Sequence, residues 1–158
     1  MTTWITTDLG FQSMTDVFPK DAIAISMLDL QDGYNEPELI FKKAKKILGE
    51  LARGKRVVVF CAAGLSRSPG MVALIIAFQT YMPYRETLYM IKDDIAPWIQ
   101  VNSDFQDACE QALSIMNAKL VKRCKCGAPI EAWEEVCEYC YKLGIDLPMQ
   151  LLQNIYMT

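Results

Sequence analysis

The run VVVFCAAGLSRSPG, from Val57 to Gly70, constrains this chain more than any other stretch. Val57-Val58-Val59-Phe60 is a short β-branched and aromatic run, the pattern of a strand buried on both faces. Pro69 then opens a near-continuous apolar helix, Met71–Phe78, at a position where its missing N–H costs nothing. Between strand and helix lies a tight loop in which five residues separate Cys61 from Arg67. Gly64 can supply the positive φ that such a turn demands. Successive backbone N–H groups then curl round one point, and a helix N-terminus adds its positive dipole end. The result is a nest for a tetrahedral anion. Arg67 offers a planar, two-pronged clamp for its oxygens. Beneath them Cys61 occupies a position where dipole, amides and arginine all favour a thiolate.

These residues resemble the C-x5-R signature loop of cysteine-dependent protein phosphatases, and the wording AAGLSRS is similar to the dual-specificity branch. The resemblance extends from about Ile5 to Met116. It implies that Cys61 is the nucleophile and Arg67 the phosphate clamp. Ala62, Ala63, Gly64, Leu65 and Ser66 would present the remaining phosphate-binding amides, and Ser68 would stabilise the departing thiolate. In that family a general-acid aspartate sits about thirty residues before the cysteine, often as Asp-Gly ahead of a helix. Met27-Leu28-Asp29-Leu30-Gln31-Asp32-Gly33 has that form. Asp32 is the choice for the acid, with Asp29 as runner-up. Pro97-Trp98-Ile99-Gln100-Val101-Asn102-Ser103-Asp104-Phe105 resembles the family's proline-to-asparagine-to-phenylalanine segment before its last core helix.

The chain also departs from the family pattern. Phe60 stands where a histidine usually precedes the cysteine, and the sequence contains no histidine at all. No imidazole can therefore serve as acid, base or metal ligand. Lys92-Asp93-Asp94-Ile95-Ala96 replaces the family's arginine just before the later proline, and Asp93 and Asp94 read as a solvated helix end. Few residues precede Asp32, so a reduced sheet is expected.

The order of elements is strand, loop, helix, strand, loop and helices, which argues for a mostly parallel α/β sheet flanked by helices. Trp4–Thr6 reads as a short first strand and Ala22–Leu28 as a better one. Asn35 reads as the cap of a helix with Pro37 in its first turn, running to Gly54. Its apolar face is Leu39, Ile40, Ile47, Leu48 and Leu51, with Lys42, Lys43, Lys45 and Lys46 facing water. Tyr84, Leu88, Ile91 and Ile95 mark another helix, and Phe105, Cys109, Ala112, Leu113 and Met116 the last one of the main domain. Cys109 on that stripe reads as a core residue.

Beyond it, Cys124-Lys125-Cys126-Gly127 and Cys137-Glu138-Tyr139-Cys140 form two cysteine pairs ten residues apart at their nearest ends. Four thiolates from two tight knuckles suit one tetrahedral, structural Zn²⁺ per chain, with Gly127 easing the first turn. The spacing resembles small zinc ribbons, although the first pair is C-x-C where C-x2-C is commoner. Disulfides are the alternative, but no leader segment points to an oxidising compartment. The expected organisation is a phosphatase domain over 1–120, a zinc-ribbon-like module over 121–145 and a helical tail over 146–158. Leu147, Leu151, Leu152, Ile155 and Tyr156 of that tail would pack on the body, on a docking partner or on a second copy.

At 158 residues, 52% hydrophobic, the chain fits one domain with a real core plus a small appendage. No apolar run approaches a membrane span, so a cytoplasmic protein is expected. A net charge of −3 leaves no electrostatic footprint for nucleic acid. The resemblance implies metal-independent hydrolysis of phosphorylated protein or peptide through a cysteinyl-phosphate. Lysines, a mark of phosphoinositide phosphatases in this superfamily, are lacking between Cys61 and Arg67. An RNA 5′-phosphatase, a non-catalytic phosphate-binding module, and a rhodanese or arsenate reductase are the competing readings.

Overall fold

β-Branched residues pack well on a pleated, buried surface, and the run carrying them forms a central strand. The computed structural model describes residues 1–143. Strand β4 (Arg56–Cys61) lies between β2 (Leu9–Ser13) and β3 (Ala22–Ser26), parallel to both. Strand β1 (Thr3–Trp4) runs antiparallel on the outer side of β2, giving the order β1-β2-β4-β3. This is the expected mixed α/β architecture with a reduced, mostly parallel sheet. Val57, Val58 and Val59 are fully buried. Val57, Val59 and Cys61 belong to the main apolar core, whereas Phe60 points the other way and meets Phe18 edge-on at 4.9 Å. The register pairs Ser13 with Cys61 and Ser26 with Phe60. The carboxyl ends of the three parallel strands therefore converge, which is where parallel sheets bind ligands.

Helices α1 (Pro37–Ala52) and α2 (Arg67–Thr80) lie against β4, and α4 (Ser103–Lys119) packs across both. Helix α3 (Tyr84–Asp94) packs on α2. Helix α2 starts at Arg67 rather than after Pro69, and it is apolar nearly all round because neighbours surround it. At Gly70 an added Cβ would stand 2.9 Å from the Phe105 ring, so only glycine lets α4 approach this closely. The Tyr84 hydroxyl donates to Gly70 O at 2.9 Å. Cys109 lies in this buried layer, where desolvation pushes its thiol up to about 12 and leaves it a core residue.

Several expected boundaries shift. Strand β2 arises from Leu-Gly-Phe-Gln-Ser, outside the expected strands; Leu9 and Phe11 alternate with Gly10 and Gln12 over too short a run, with no β-branched residue, to signal a strand. The first strand ends at Trp4, because the N–H groups of Ile5 and Thr6 turn back to Leu9 O. Strand β3 ends at Ser26 rather than Leu28. Asn35 does not cap α1. Glu36 precedes the helix without a side-chain cap, and Asn35 bonds the 31–33 loop instead. The buried stripe of α1 is Ile40, Phe41, Ala44, Ile47 and Leu48. Leu39, rotated about 100° from Ile40, falls outside it and is exposed. Lys43 and Lys45 flank the stripe and are engaged: Lys43 with Ser26 O and Asp29, Lys45 with Glu131 and Glu134. Ile95 follows α3 and is exposed, and Asp93 and Asp94 form a solvated helix end.

After α4 come a two-stranded ribbon, β5 (Lys122–Arg123) with β6 (Pro129–Ile130), and a short helix α5 (Glu138–Leu143). Cys124, Ala128, Ile130, Cys137 and Cys140 form a second small buried cluster. The expected helical tail over 146–158 lies outside the described residues. Among the described residues, no helix is long and apolar enough to cross a membrane.

Candidate active site

Cys61 ends β4, and its side chain is almost wholly buried at the head of α2. Ser68 Oγ lies 3.2 Å from Cys61 Sγ, and the Ser68 N–H donates to the same sulfur at 3.4 Å. Both contacts suit a thiolate, which accepts hydrogen bonds and donates none. Gly64 adopts φ +72°. A Cβ there would stand 2.7 Å from Ser13 N and 2.9 Å from Gln12 C, so the loop rests directly on the end of β2. Ser13 Oγ also donates to Ala62 O at 2.8 Å.

The backbone N–H groups from Ala62 to Ser66 find no acceptor among the described residues. Nor does any side chain cap the start of α2. Gly64 and Ser66 are buried while Ala62, Ala63 and Leu65 are exposed, so the row opens to the surface, where a ligand can reach it. A row of free donors at a helix N-terminus is a receptor for an oxyanion.

Three other segments meet this loop. Leu65 O accepts from the Gln100 N–H at 2.9 Å. Ser66 Oγ accepts from the Asn102 N–H at 2.9 Å and donates to Asp32 Oδ1 at 2.5 Å. Arg67 Nη1 donates to Met27 O at 3.2 Å and to Leu30 O at 2.8 Å. The residues chosen from sequence thus converge on one loop: Cys61 and Ser68 in contact, Asp32 joined through Ser66, and Arg67 bonded to the carbonyls that precede Asp32. Asp29 is occupied elsewhere. Its carboxylate pairs with Lys43 at 2.8 Å, and that hydrogen bond holds it below the usual carboxylate range. Asn102 also caps α4, accepting from Asp104 N and Phe105 N. Lys92 donates to Ile99 O and so braces the segment leading to Asn102.

Sequence reasoning missed Gln12 and Ser13 and gave Asn35 the role of a helix cap. Asn35 accepts from Gln31 N and donates to Gln31 O and Gly33 O, which fixes the loop that carries Asp32. An asparagine two residues after Asp-Gly is the signal, since its side chain readily bonds nearby backbone.

Away from this loop, Cys124, Cys126, Cys137 and Cys140 come together, with all four sulfurs within 4.8 Å of one another. Zinc–sulfur bonds of about 2.3 Å set tetrahedral sulfur–sulfur edges near 3.8 Å, and Cys126 and Cys137 Sγ are 3.5 Å apart. The donor set fits: these four residues could hold a metal ion. Burial opposes ionisation of Cys124, but the N–H groups and side chains of Cys137 and Cys126 outweigh it and bring the thiol down to about 7, whereas burial pushes the thiols of Cys137 and Cys140 up.

No protein-family model and no curated protein matches the sequence. Solved structures do match. Tk-PTP in its active form superposes with a TM-score of 0.60 at 15% identity, covering 72% of this chain and 96% of that one. A leucine rich repeat and phosphatase domain containing protein from Entamoeba histolytica gives 0.60 at 13% identity, covering 74% and 93%. PTPMT1, solved in complex with PI(5)P, gives 0.51 at 23% identity, covering 61% and 60%. The chain shares the fold of these phosphatase structures, with Cys61, Arg67 and Asp32 gathered at the carboxyl end of its sheet.

Proposed function

We propose that this protein is a cysteine-dependent phosphatase of the dual-specificity or tyrosine class, acting on phosphorylated protein or peptide. The observation that carries this reading is the loop from Cys61 to Arg67. A buried thiol sits under unpaired amides, and Ser66 links the loop to a carboxylate. In the first step Cys61 Sγ attacks phosphorus in line. The phosphorus–oxygen bond breaks, and Asp32 gives its proton to the leaving oxygen. The loop amides and Arg67 hold the equatorial oxygens throughout. In the second step Asp32 takes a proton from water, which attacks the cysteinyl-phosphate. The sulfur–phosphorus bond breaks, inorganic phosphate leaves, and the Ser68 hydroxyl receives the returning thiolate.

The surroundings favour an aryl ester. Leu65 in the loop is exposed, as are Trp98, beside the Gln100 bond, Tyr34, beside Asp32, and Leu28, beside the carbonyls that hold Arg67. Such apolar side chains suit a phosphotyrosine ring better than a polyanionic headgroup. The test is hydrolysis of p-nitrophenyl phosphate with EDTA present. Turnover that persists in chelator and is blocked by vanadate is expected. Activity that vanishes with the metal would overturn a thiolate mechanism.

The four-cysteine cluster is read as a structural zinc site, which accords with a reducing, cytoplasmic setting. Purified protein should carry one Zn²⁺ per chain by elemental analysis, and Cys137→Ser should lose it. A structural zinc contributes on the order of 10 kcal/mol of apparent binding free energy to small units, so the module from about Val121 should unfold first in chelator. Zinc-free protein with no gain in free thiols on denaturation in chelator would point to disulfides instead.

A further inference from the structure

Arg53, just past the end of α1, has a buried head group and an unusual set of neighbours. Its side chain is only 10% exposed. Nη1 lies 3.8 Å from Cys126 Sγ and 3.7 Å from Cys137 Sγ. Nη2 donates to Glu50 Oε1 at 2.8 Å. The guanidinium carbon stands 3.9 Å from the centre of the Tyr139 ring, and Nε is buried with no partner among the described residues. Gly49 makes room, since a Cβ there would approach Nη1 to 3.3 Å.

A buried guanidinium is costly unless negative charge and acceptors surround it. Glu50 supplies one charge, but the head group faces sulfur. Against neutral thiols those contacts are feeble. Four thiolates round a divalent cation carry a net charge of −2, and donation to such sulfur is charge-assisted. Partners of this kind orient metal ligands and tune the site.

We propose that Arg53 is an outer-sphere partner of the four-cysteine site. Its guanidinium donates to Cys126 and Cys137 and offsets the charge of the loaded centre. This rests on the zinc reading above. It also makes the module part of the body rather than a tethered appendage, because α1 belongs to the main core and its Lys45 reaches Glu131 and Glu134 of the module. Arg53 is then a positioning residue, acting through the ligands it contacts.

The experiment uses the full chain, titrated with zinc against a chromophoric chelator and with cobalt(II) for its thiolate charge-transfer bands. Arg53→Met should bind zinc about 10–100-fold more weakly and shift the cobalt bands, with Arg53→Lys in between. Glu50→Gln removes the other bond of the same guanidinium and should leave zinc affinity within a few-fold of the parent. Wild-type affinity and spectra in Arg53→Met would overturn the proposal. So would an equal loss in Glu50→Gln, which would show that the Arg53–Glu50 pair merely supports packing. If Arg53→Met does not fold, Arg53→Lys decides alone: unshifted cobalt bands and unchanged affinity in it would overturn the proposal. A parent protein that binds no zinc would overturn both this inference and the zinc reading, whereas a zinc-binding parent with unchanged variants overturns this inference alone.

Discussion

Cys61→Ser should lower turnover by several orders of magnitude while phosphate and vanadate still bind. The nest is made of backbone, so the substitution leaves its donors in place: the amides from Ala62 to Ser66 stay free. What changes is the nucleophile. Sulfur is the stronger nucleophile, and an alcohol is hardly ionised at all near neutrality. Stopped turnover with retained anion binding, read by aryl-phosphate kinetics and calorimetry on one preparation, is the expected pair of results. Substantial residual activity would sink the covalent mechanism. Arg67→Lys should fail by a different route. An ammonium cannot form the planar fork, and its single nitrogen cannot hold the Met27 and Leu30 carbonyls, both bound by Arg67 Nη1, together with two phosphate oxygens.

The parts of the fold that were legible are those where local chemistry and tertiary role agree. Val57–Val59 is apolar because it is central, and Gly64 is glycine because β2 lies against it. Strand β2 was illegible for the opposite reason. Gly10 has no side chain, since a Cβ would stand 2.7 Å from Thr3 O. Gln12 is buried yet polar, bonded to Thr2, Ser13 O and Asp16 O. Its strand character is imposed by pairing with β4, which no local propensity reports. Asn35 misled in the same way: its residue type fits a helix cap, but the nearer demand was the 31–33 loop. In the site, residue types were readable and cross-loop bonds were not. Ser66 joins Asp32 to Asn102 across large sequence separations, and nothing in a linear pattern announces such a bridge. Arg53 reads in sequence as an ordinary residue at a helix end, and only packing sets it against the cysteines.

That bridge gives the general acid its sharpest test. Asp32→Ala should lower kcat by roughly 10²–10⁴ on substrates with poor leaving groups, such as alkyl phosphates or a phosphotyrosine peptide. With a good leaving group the loss in kcat/KM, which reports the first step alone, should shrink, because little protonation is needed as the bond breaks. Asp29→Ala should do neither. Its carboxylate is spent on Lys43, and the hydrogen bond from Lys43 keeps it ionised, so it holds no proton to give. Ser66→Ala should resemble Asp32→Ala in its leaving-group dependence but with a smaller loss, since it removes the bond that positions the acid and spares the acid itself. A plot of log kcat/KM against leaving-group pKa for the three variants separates these outcomes. A steep slope in Asp32→Ala, an intermediate one in Ser66→Ala and a parental one in Asp29→Ala are expected. A steep slope in Asp29→Ala with a parental one in Asp32→Ala would move the acid one turn back along the loop, and would mean that the Ser66 bond holds Asp32 away from the reaction rather than poised for it.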